Sequence, residues 1–429
     1  MDQADAKGSI PRRRRLRTLA VTGLLLMTAA GVWRGAMFKR DATPPGPPPR
    51  PIPPKPNGYD DFVAATRLLV GDKDLHFPLA GSGGADRHTF AQHLALIEAN
   101  RPALARLRAG FRHAYQEPQR PPSFDESLDL YARFVDLARD LRLESGRKAF
   151  EGDWYGAMES RMDALRLGTE IPKGAIVYGM FHGHSCMVLG LVGARPLVDR
   201  LDAAQALRAA AELGEIQAHL QPYLLTLDEH QRWGEAAFRD WISDQEKYAG
   251  KGSKESGGSW SRLTASLRLR GDLSSFTHTM NRYRARARLP YADFAPMPQP
   301  PPDWLTTYTL MFLPNFRAAW VDSLDAHVRV DLLRLSLILR AYSLKTGTYP
   351  RRLSALVPTY LDRVPTDPFS DQTRYRYRLE KDGYALYSVG PDAKDDGGLS
   401  ILNEKGRGTF GRYLVTEKSR GDIVAGVNP

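Results

Sequence analysis

From Tyr59 to about Lys247, apolar residues recur at spacings of three and four. Leu128, Tyr131, Phe134, Val135, Leu137 and Leu141 mark one stripe. Leu201, Ala204, Leu207, Ala210, Leu213, Ile216 and Leu220 mark another. Such spacing puts the side chains on one face of a 3.6-residue helix, and β-branched alternation is scarce, so an α-helical body is predicted. The same period returns at Val328, Leu332, Leu335, Leu339 and Tyr342, broadened by Leu333 and Leu337. Thr346-Gly-Thr-Tyr-Pro350 should end that helix, because glycine supplies a left-handed terminus and proline cannot continue. Leu353 to Leu361 predicts a short second helix, and Pro365-Thr-Asp-Pro-Phe369 a turn. The period then changes to two over Arg374–Glu380 and Tyr384–Gly390, around Lys381-Asp-Gly383, which reads as a β-hairpin.

The N-terminus has a different pattern. Arg12-Arg-Arg-Arg-Leu-Arg17 precedes Thr18–Trp33, sixteen residues without a charge, and then Arg34. Charge is costly in hydrocarbon, so the apolar run should insert with the arginines on the cytoplasmic side. Its length of roughly 24 Å is short of a ~30 Å hydrocarbon core, a gap closed by snorkelling Arg17 and Arg34 or by extension to Phe38. Two readings stand: an uncleaved signal anchor, or a cleaved signal peptide with Thr28-Ala-Ala30 at the cleavage site. The paired arginines also match a twin-arginine export signal loosely. The interfacial Trp33 and the spacer directly after it favour the anchor. That spacer, Thr43 to Gly58, is proline-rich and predicts polyproline II, holding the body some ~40 Å off the bilayer at ~3.1 Å per residue.

The expected fold class is therefore α+β, mainly α. It comprises an N-terminal transmembrane helix, an α-helical body and a small C-terminal unit of helix plus antiparallel hairpin. In residues, this is a basic cytoplasmic tail (1–17), the anchor (18–38), a proline-rich linker (39–57), the helical domain (58–248), a flexible and proline-rich region (249–303) and the α+β unit (304–420). The expected location is the inner membrane, single-pass, with the N-terminus cytoplasmic and the bulk extracytoplasmic.

Charge changes the picture less than it first suggests. The chain of 429 residues has a formal net charge of +11. Eleven Lys or Arg against three Asp lie in residues 1–55, so the folded body is close to neutral and nucleic acid is not an expected partner. Arg282, Arg284, Arg286 and Arg288 alternate, but a solvated surface or anionic lipid is favoured there over nucleic acid. The single cysteine, Cys186, excludes an internal disulfide framework.

Candidate chemistry is sparse. Phe181-His-Gly-His-Ser-Cys-Met187 puts His182 and Cys186 four apart on one helical face, as metal ligands sit. Gly183-His-Ser-Cys-Met187 resembles a nucleophile elbow, but Met187 stands where the second glycine belongs and no strand precedes it. A structural helix is the favoured reading. Asp228-Glu-His230 and Glu235 lack the second histidine of a zinc-protease helix and read as a solvated face. Gly152-Asp-Trp-Tyr-Gly-Ala157 with Ala164-Leu-Arg-Leu-Gly168 resembles one tetratricopeptide-like hairpin, and an ordinary helical hairpin is an equal alternative.

The C-terminal pieces resemble the C-terminal half of the major pseudopilin of type II secretion systems. The long amphipathic helix, TGTYP, LSALVPTYLDRVPTDPF, YRYRLEKDGYALYSVGPD and an acidic glycine-rich loop fall in the same order over residues 325–398. The whole chain also resembles bacterial envelope proteins that join a signal anchor, a helical body and a pseudopilin-like end, a class with no activity to carry over. Two departures stand out. The apolar run has no early glutamate, and it lies about 300 residues from the pseudopilin-like unit. The unit therefore reads as a borrowed domain.

In that family the acidic loop binds calcium, so the resemblance implies Asp392, Asp395 and Asp396 as carboxylate ligands, with the Ser388 carbonyl as another. Calcium takes six to eight oxygens, and Gly390, Gly397 and Gly398 would permit the tight backbone. A metal-free turn with solvated carboxylates is the competing reading. No other cofactor and no catalytic residue are expected. The leading expectation is a non-enzymatic, membrane-anchored factor whose partners are other envelope proteins. The alternatives are an envelope hydrolase using His182, His184 or Ser185, and a genuine pseudopilus component of a type II secretion system.

Overall fold

The computed structural model describes residues 46–71, 90–119, 125–249, 259–293, 307–370, 373–402 and 415–426. The expected anchor at 18–38 lies outside them, and no described helix is long and apolar enough to cross a membrane. The described residues are mainly helical, with one small antiparallel sheet.

Short polar residues set the helix starts. Asn57 Oδ1 accepts from the Tyr59 amide and opens α1 (Gly58–Arg67). Then come α2 (Phe90–Gly110) and α3 (Asp125–Phe150). Asp153 caps α4 (Trp154–Glu170) through the Gly156 amide, and α5 (Val177–Leu191) follows. After the one-turn α6 (Arg195–Val198), Asp202 and Gln205 form a reciprocal capping box on α7 (Ala203–Ala218). Next are α8 (Tyr223–Ala249), α9 (Ser259–Arg286) and the short α10 (Thr307–Met311). The longest described helix, α11 (Phe316–Thr346), starts on Asn315 and ends at Gly347, whose φ of 83° is the left-handed stop its sequence called for.

The hairpin forms where the period of two predicted it. β1 (Arg376–Glu380) pairs antiparallel with β2 (Gly383–Ser388), with Glu380 opposite Gly383 across a two-residue turn. A third strand, β3 (Ile423–Val424), adds to the far edge of β2. Leu353–Leu356 makes only a 3₁₀ turn rather than a helix to Leu361, since Pro358 follows and cannot donate to a continuing ladder.

Among the described residues the core has three apolar clusters. Phe62, Leu104, Leu107, Tyr131, Phe134 and Leu137 tie α1 to α3 with α4 and α5. Phe238, Phe276, Met280 and Phe312 fill the space between α8, α9 and α10. The largest cluster runs from Met162 and Leu165 on α4, through Leu213 and Ile216 on α7, to Val328, Leu332 and Leu339 on α11, and into the sheet at Leu386 and Ile423. Each fully buried side chain of this size is worth ~1.5–3 kcal/mol, so these contacts dominate the packing.

Three expectations change. First, α9 occupies much of the region read as a flexible linker (249–303). Its Leu269, Phe276, Met280 and Tyr283 are buried against α8 at helical spacing. Second, the body and the C-terminal unit share one core, because α11 packs in the same cluster as α4 and α7. Third, residues 46–57 are not a free spacer. Arg50 donates from Nη2 to the carbonyls of Glu117 (2.7 Å) and Gly174 (2.8 Å), and its Nε meets the Glu229 carboxylate. Arg232 donates to the Pro48 carbonyl at 2.7 Å. Polyproline backbone leaves its carbonyls unpaired, so Arg232 on the body can take one, while Arg50 of the segment reaches carbonyls of the body, and the segment is held as a strap.

Candidate functional site

The acidic loop after β2 does hold its aspartates close to the sheet, but protein groups engage them. Arg376 on β1 donates to Asp395 at 2.9 Å. Tyr387 Oη donates to the same carboxylate at 3.0 Å, and so does the Gly397 amide. Burial works against the Asp395 anion, yet these donors hold its carboxyl below the ordinary range. Asp392 accepts from the Lys394 amide at 3.3 Å. Ser388 lies at the end of β2 opposite Ile423, and its hydroxyl donates to the buried Asp367 at 2.8 Å. Asp367 also accepts from the amides of Phe369 and Val389, which ties the Pro365–Phe369 turn to the strand.

A residue outside every sequence motif organises this loop. Asp422, just before β3, accepts from the Gly398 amide at 2.7 Å and from the Asp396 amide at 3.4 Å. Burial moves its carboxyl up to about 6; Asp395 and Asp396 add repulsion, while the two amides pull the other way. The loop is thus closed by a carboxylate. As placed, Ser388, Asp392, Asp395 and Asp396 do not converge into a calcium cage. Among the described residues no group of three His, Cys, Asp or Glu is placed to hold a metal ion.

The histidine-rich stretch falls inside α5, as its apolar continuation suggested. His182 Nδ1 donates to the Tyr178 carbonyl one turn back, at 2.7 Å. Ser185 Oγ does the same to Phe181 at 2.9 Å. Cys186 is buried against the Phe134 carbonyl, and burial pushes its thiol well up, away from the thiolate that metal binding or attack requires. Gly183 is a packing residue. A Cβ there would stand 2.7 Å from the Gly168 carbonyl, and one on Gly168 would stand 2.5 Å from the Gly183 carbonyl. The glycine that gives the stretch its elbow-like look serves helix approach.

His184 points the other way and meets α11. Its Nε2 lies 3.0 Å from Asp325 and its Nδ1 3.8 Å from Asp322. Arg329 closes on Asp325 at 2.6 Å. Burial works against the imidazolium, but the two aspartates hold the His184 pKa above its ordinary value. Burial likewise opposes the Asp325 anion, and Arg329 with His184 keeps it below the ordinary range. Asp322 moves up, through burial with His184 pulling against it. A fully buried carboxylate with two cationic neighbours is a joint between α5 and α11. Its sequence signal is visible in retrospect: Asp322, Asp325 and Arg329 recur at helical spacing on one face of α11.

Asp228, Glu229 and His230 are buried, contrary to the solvated face expected of them. Asp228 pairs with Arg284 of α9, which is itself buried and so departs from the solvated arginine row. Glu229 is the acidic partner of Arg50 and Arg232. His230 Nε2 donates to the Phe312 carbonyl at 2.8 Å, and burial lowers its pKa to about 4. A face that receives α9, α10 and the strap needs such groups to pair its polar partners.

Comparison with known proteins yields no match: no family model, no curated protein and no solved structure corresponds to this chain.

Proposed function

We propose that the protein is a single-pass protein of the bacterial inner membrane whose folded body lies outside the cytoplasm and acts by binding other envelope proteins, without catalysis of its own. The observation that carries this reading is the N-terminal order of Arg12–Arg17, an uncharged Thr18–Trp33 and a proline tract. The C-terminal unit supports a contact role in the manner of a pseudopilin domain. Its helix, Gly347 stop, hairpin and acidic loop follow in that order. The residues of the hydrolase alternative do not support it, since His182, His184 and Ser185 are bonded to three different partners.

A topology reporter fused to the C-terminus tests the placement. Activity of an extracytoplasmic reporter is expected, and activity of a cytoplasmic one would overturn the reading.

A further inference from the structure

Two arginines come together without a carboxylate where α3, α4 and the end of α5 meet. Arg161 on α4 is 8% exposed, and three bonds fix its place. Its Nε donates to the Ser145 hydroxyl of α3 at 2.8 Å. Its Nη1 donates to the carbonyls of Leu189, at 3.0 Å, and Val192 at the end of α5. Arg142 precedes Ser145 by three residues on α3, which makes the two neighbours on one face of that helix. It is half-buried, and among the described residues no Asp or Glu acts on either guanidinium. Burial, with the Arg142 charge behind it, brings the Arg161 pKa down to about 9, and burial lowers that of Arg142 as well.

The fold offsets part of this charge. A helix C-terminus carries roughly half a negative charge, and Arg161 caps that of α5. About one and a half positive charges stay uncompensated by that dipole, in a place where cations are normally paired. Donors remain as well. Arg161 Nη2 makes no hydrogen bond among the described residues and keeps accessible surface. That surface faces Gly193, an exposed residue with φ of 78°. A Cβ at Gly193 would stand 3.3 Å from Nη2, and within 4 Å it would meet only the Arg161 guanidinium. The space over Nη2 is therefore open.

We infer that Arg161 Nη2 and the guanidinium of Arg142 bind a doubly charged phosphate, free or as a monoester, in the space beside Gly193. A monoester carries about −1.5 to −2 charges at pH 7, which matches what the dipole leaves. A carboxylate or a phosphodiester, with one charge, would leave a cation unpaired. The forked guanidinium also suits phosphate oxygens, and Ser145 with the two carbonyls already holds that of Arg161 in place. The site belongs to the body alone, so it stands on whichever side of a membrane that body lies.

The test is calorimetric titration of the full chain in detergent with methyl phosphate, inorganic phosphate and dimethyl phosphate, the last a singly charged diester. Methyl phosphate is expected to bind at least tenfold tighter than the diester. Tighter binding of inorganic phosphate than of methyl phosphate would make the free ion the ligand, and the reverse a phosphorylated small molecule; either sustains the site. Arg142→Gln should weaken methyl phosphate at least tenfold. It should hold or raise the melting temperature of the unliganded protein, because it takes a like charge away from Arg161. Arg142→Lys, which keeps the charge and loses the fork, should bind with an affinity between wild type and Arg142→Gln. Equal binding of monoester and diester, no binding of methyl phosphate, or wild-type affinity in both variants would overturn the inference.

Discussion

Gly168 on α4 and Gly183 on α5 face each other so closely that a methyl on either would overlap the other's carbonyl oxygen, at 2.5 Å and 2.7 Å. The crossing of the two helices is set by the absence of side chains at these positions. Gly168→Ala and Gly183→Ala should each destabilise the protein by about 1–3 kcal/mol, the usual cost of overpacking. Urea denaturation measures it. Unchanged midpoints for both variants would mean that the helices separate more easily than their packing implies.

The joint between α5 and α11 predicts a pH dependence with a definite sign. His184 has a raised pKa in the fold, so its stabilisation is complete below its unfolded value near 6.5 and is lost as pH rises through the folded value. Asp325 has a lowered pKa, so its share is present above about 3.9 and is lost as pH falls through the folded value. His184→Gln should remove the alkaline loss while leaving the acid limb. A denaturation series from pH 5 to 9 that shows the same slope in both proteins would contradict the assignment.

Asp422 works in the opposite sense to Asp325. Its carboxyl is raised to about 6, so folding favours the protonated form, and stability contributed below about 4 is lost as pH rises to 6. Asp422→Asn should flatten that window and hold or raise the melting temperature at pH 7, since an amide oxygen can still accept from Gly398. A lower melting temperature at pH 7 would show that the charge itself closes the loop.

Calcium at the acidic loop has a direct readout. With Asp395 bound to Arg376 and Tyr387, removal of metal by a chelator should leave the melting temperature unchanged. A rise on adding calcium, abolished by Asp395→Ala and Asp396→Ala, would show that the loop can reopen into the cage its resemblance implies.

The shared core predicts that the C-terminal unit does not stand alone. Residues 304–429 expressed by themselves would expose the α11 face that packs on Leu213 and Ile216. Lost amide dispersion in their NMR spectrum is expected, and a well-dispersed spectrum would make the unit an autonomous domain.

What the sequence made legible was local. The stripe on α11, its glycine stop and the hairpin register follow from spacing and from turn residues that act within a few positions of themselves. The helical nature of α5 was readable from Met187 to Val192, and the decoy around Ser185 dissolves once Gly183 is seen against Gly168. The errors came where a distant segment decides. Arg282 to Arg288 look like a solvated row until Asp228 is brought to Arg284, and Asp228 to His230 look exposed until α9 and the strap cover them. Asp422 carries no motif because its partners, the Gly398 and Asp396 amides, lie more than twenty residues away. The low-complexity stretch before α9 masked a helix whose apolar residues become informative only beside α8.

The strap through Arg50 has a mechanical consequence. A pull on the chain ahead of residue 46 would meet Arg232 of α8 at the Pro48 carbonyl and then Arg50, held by two loop carbonyls and Glu229 on α8, before it reached the Asn57 cap of α1. Arg50→Ala would shift that load onto α1 and open residues 46–57 to proteases, with a protected band on limited digestion turning into a cleaved one. The side chain thus acts as a cleat, relieving strain on the first helix of the body.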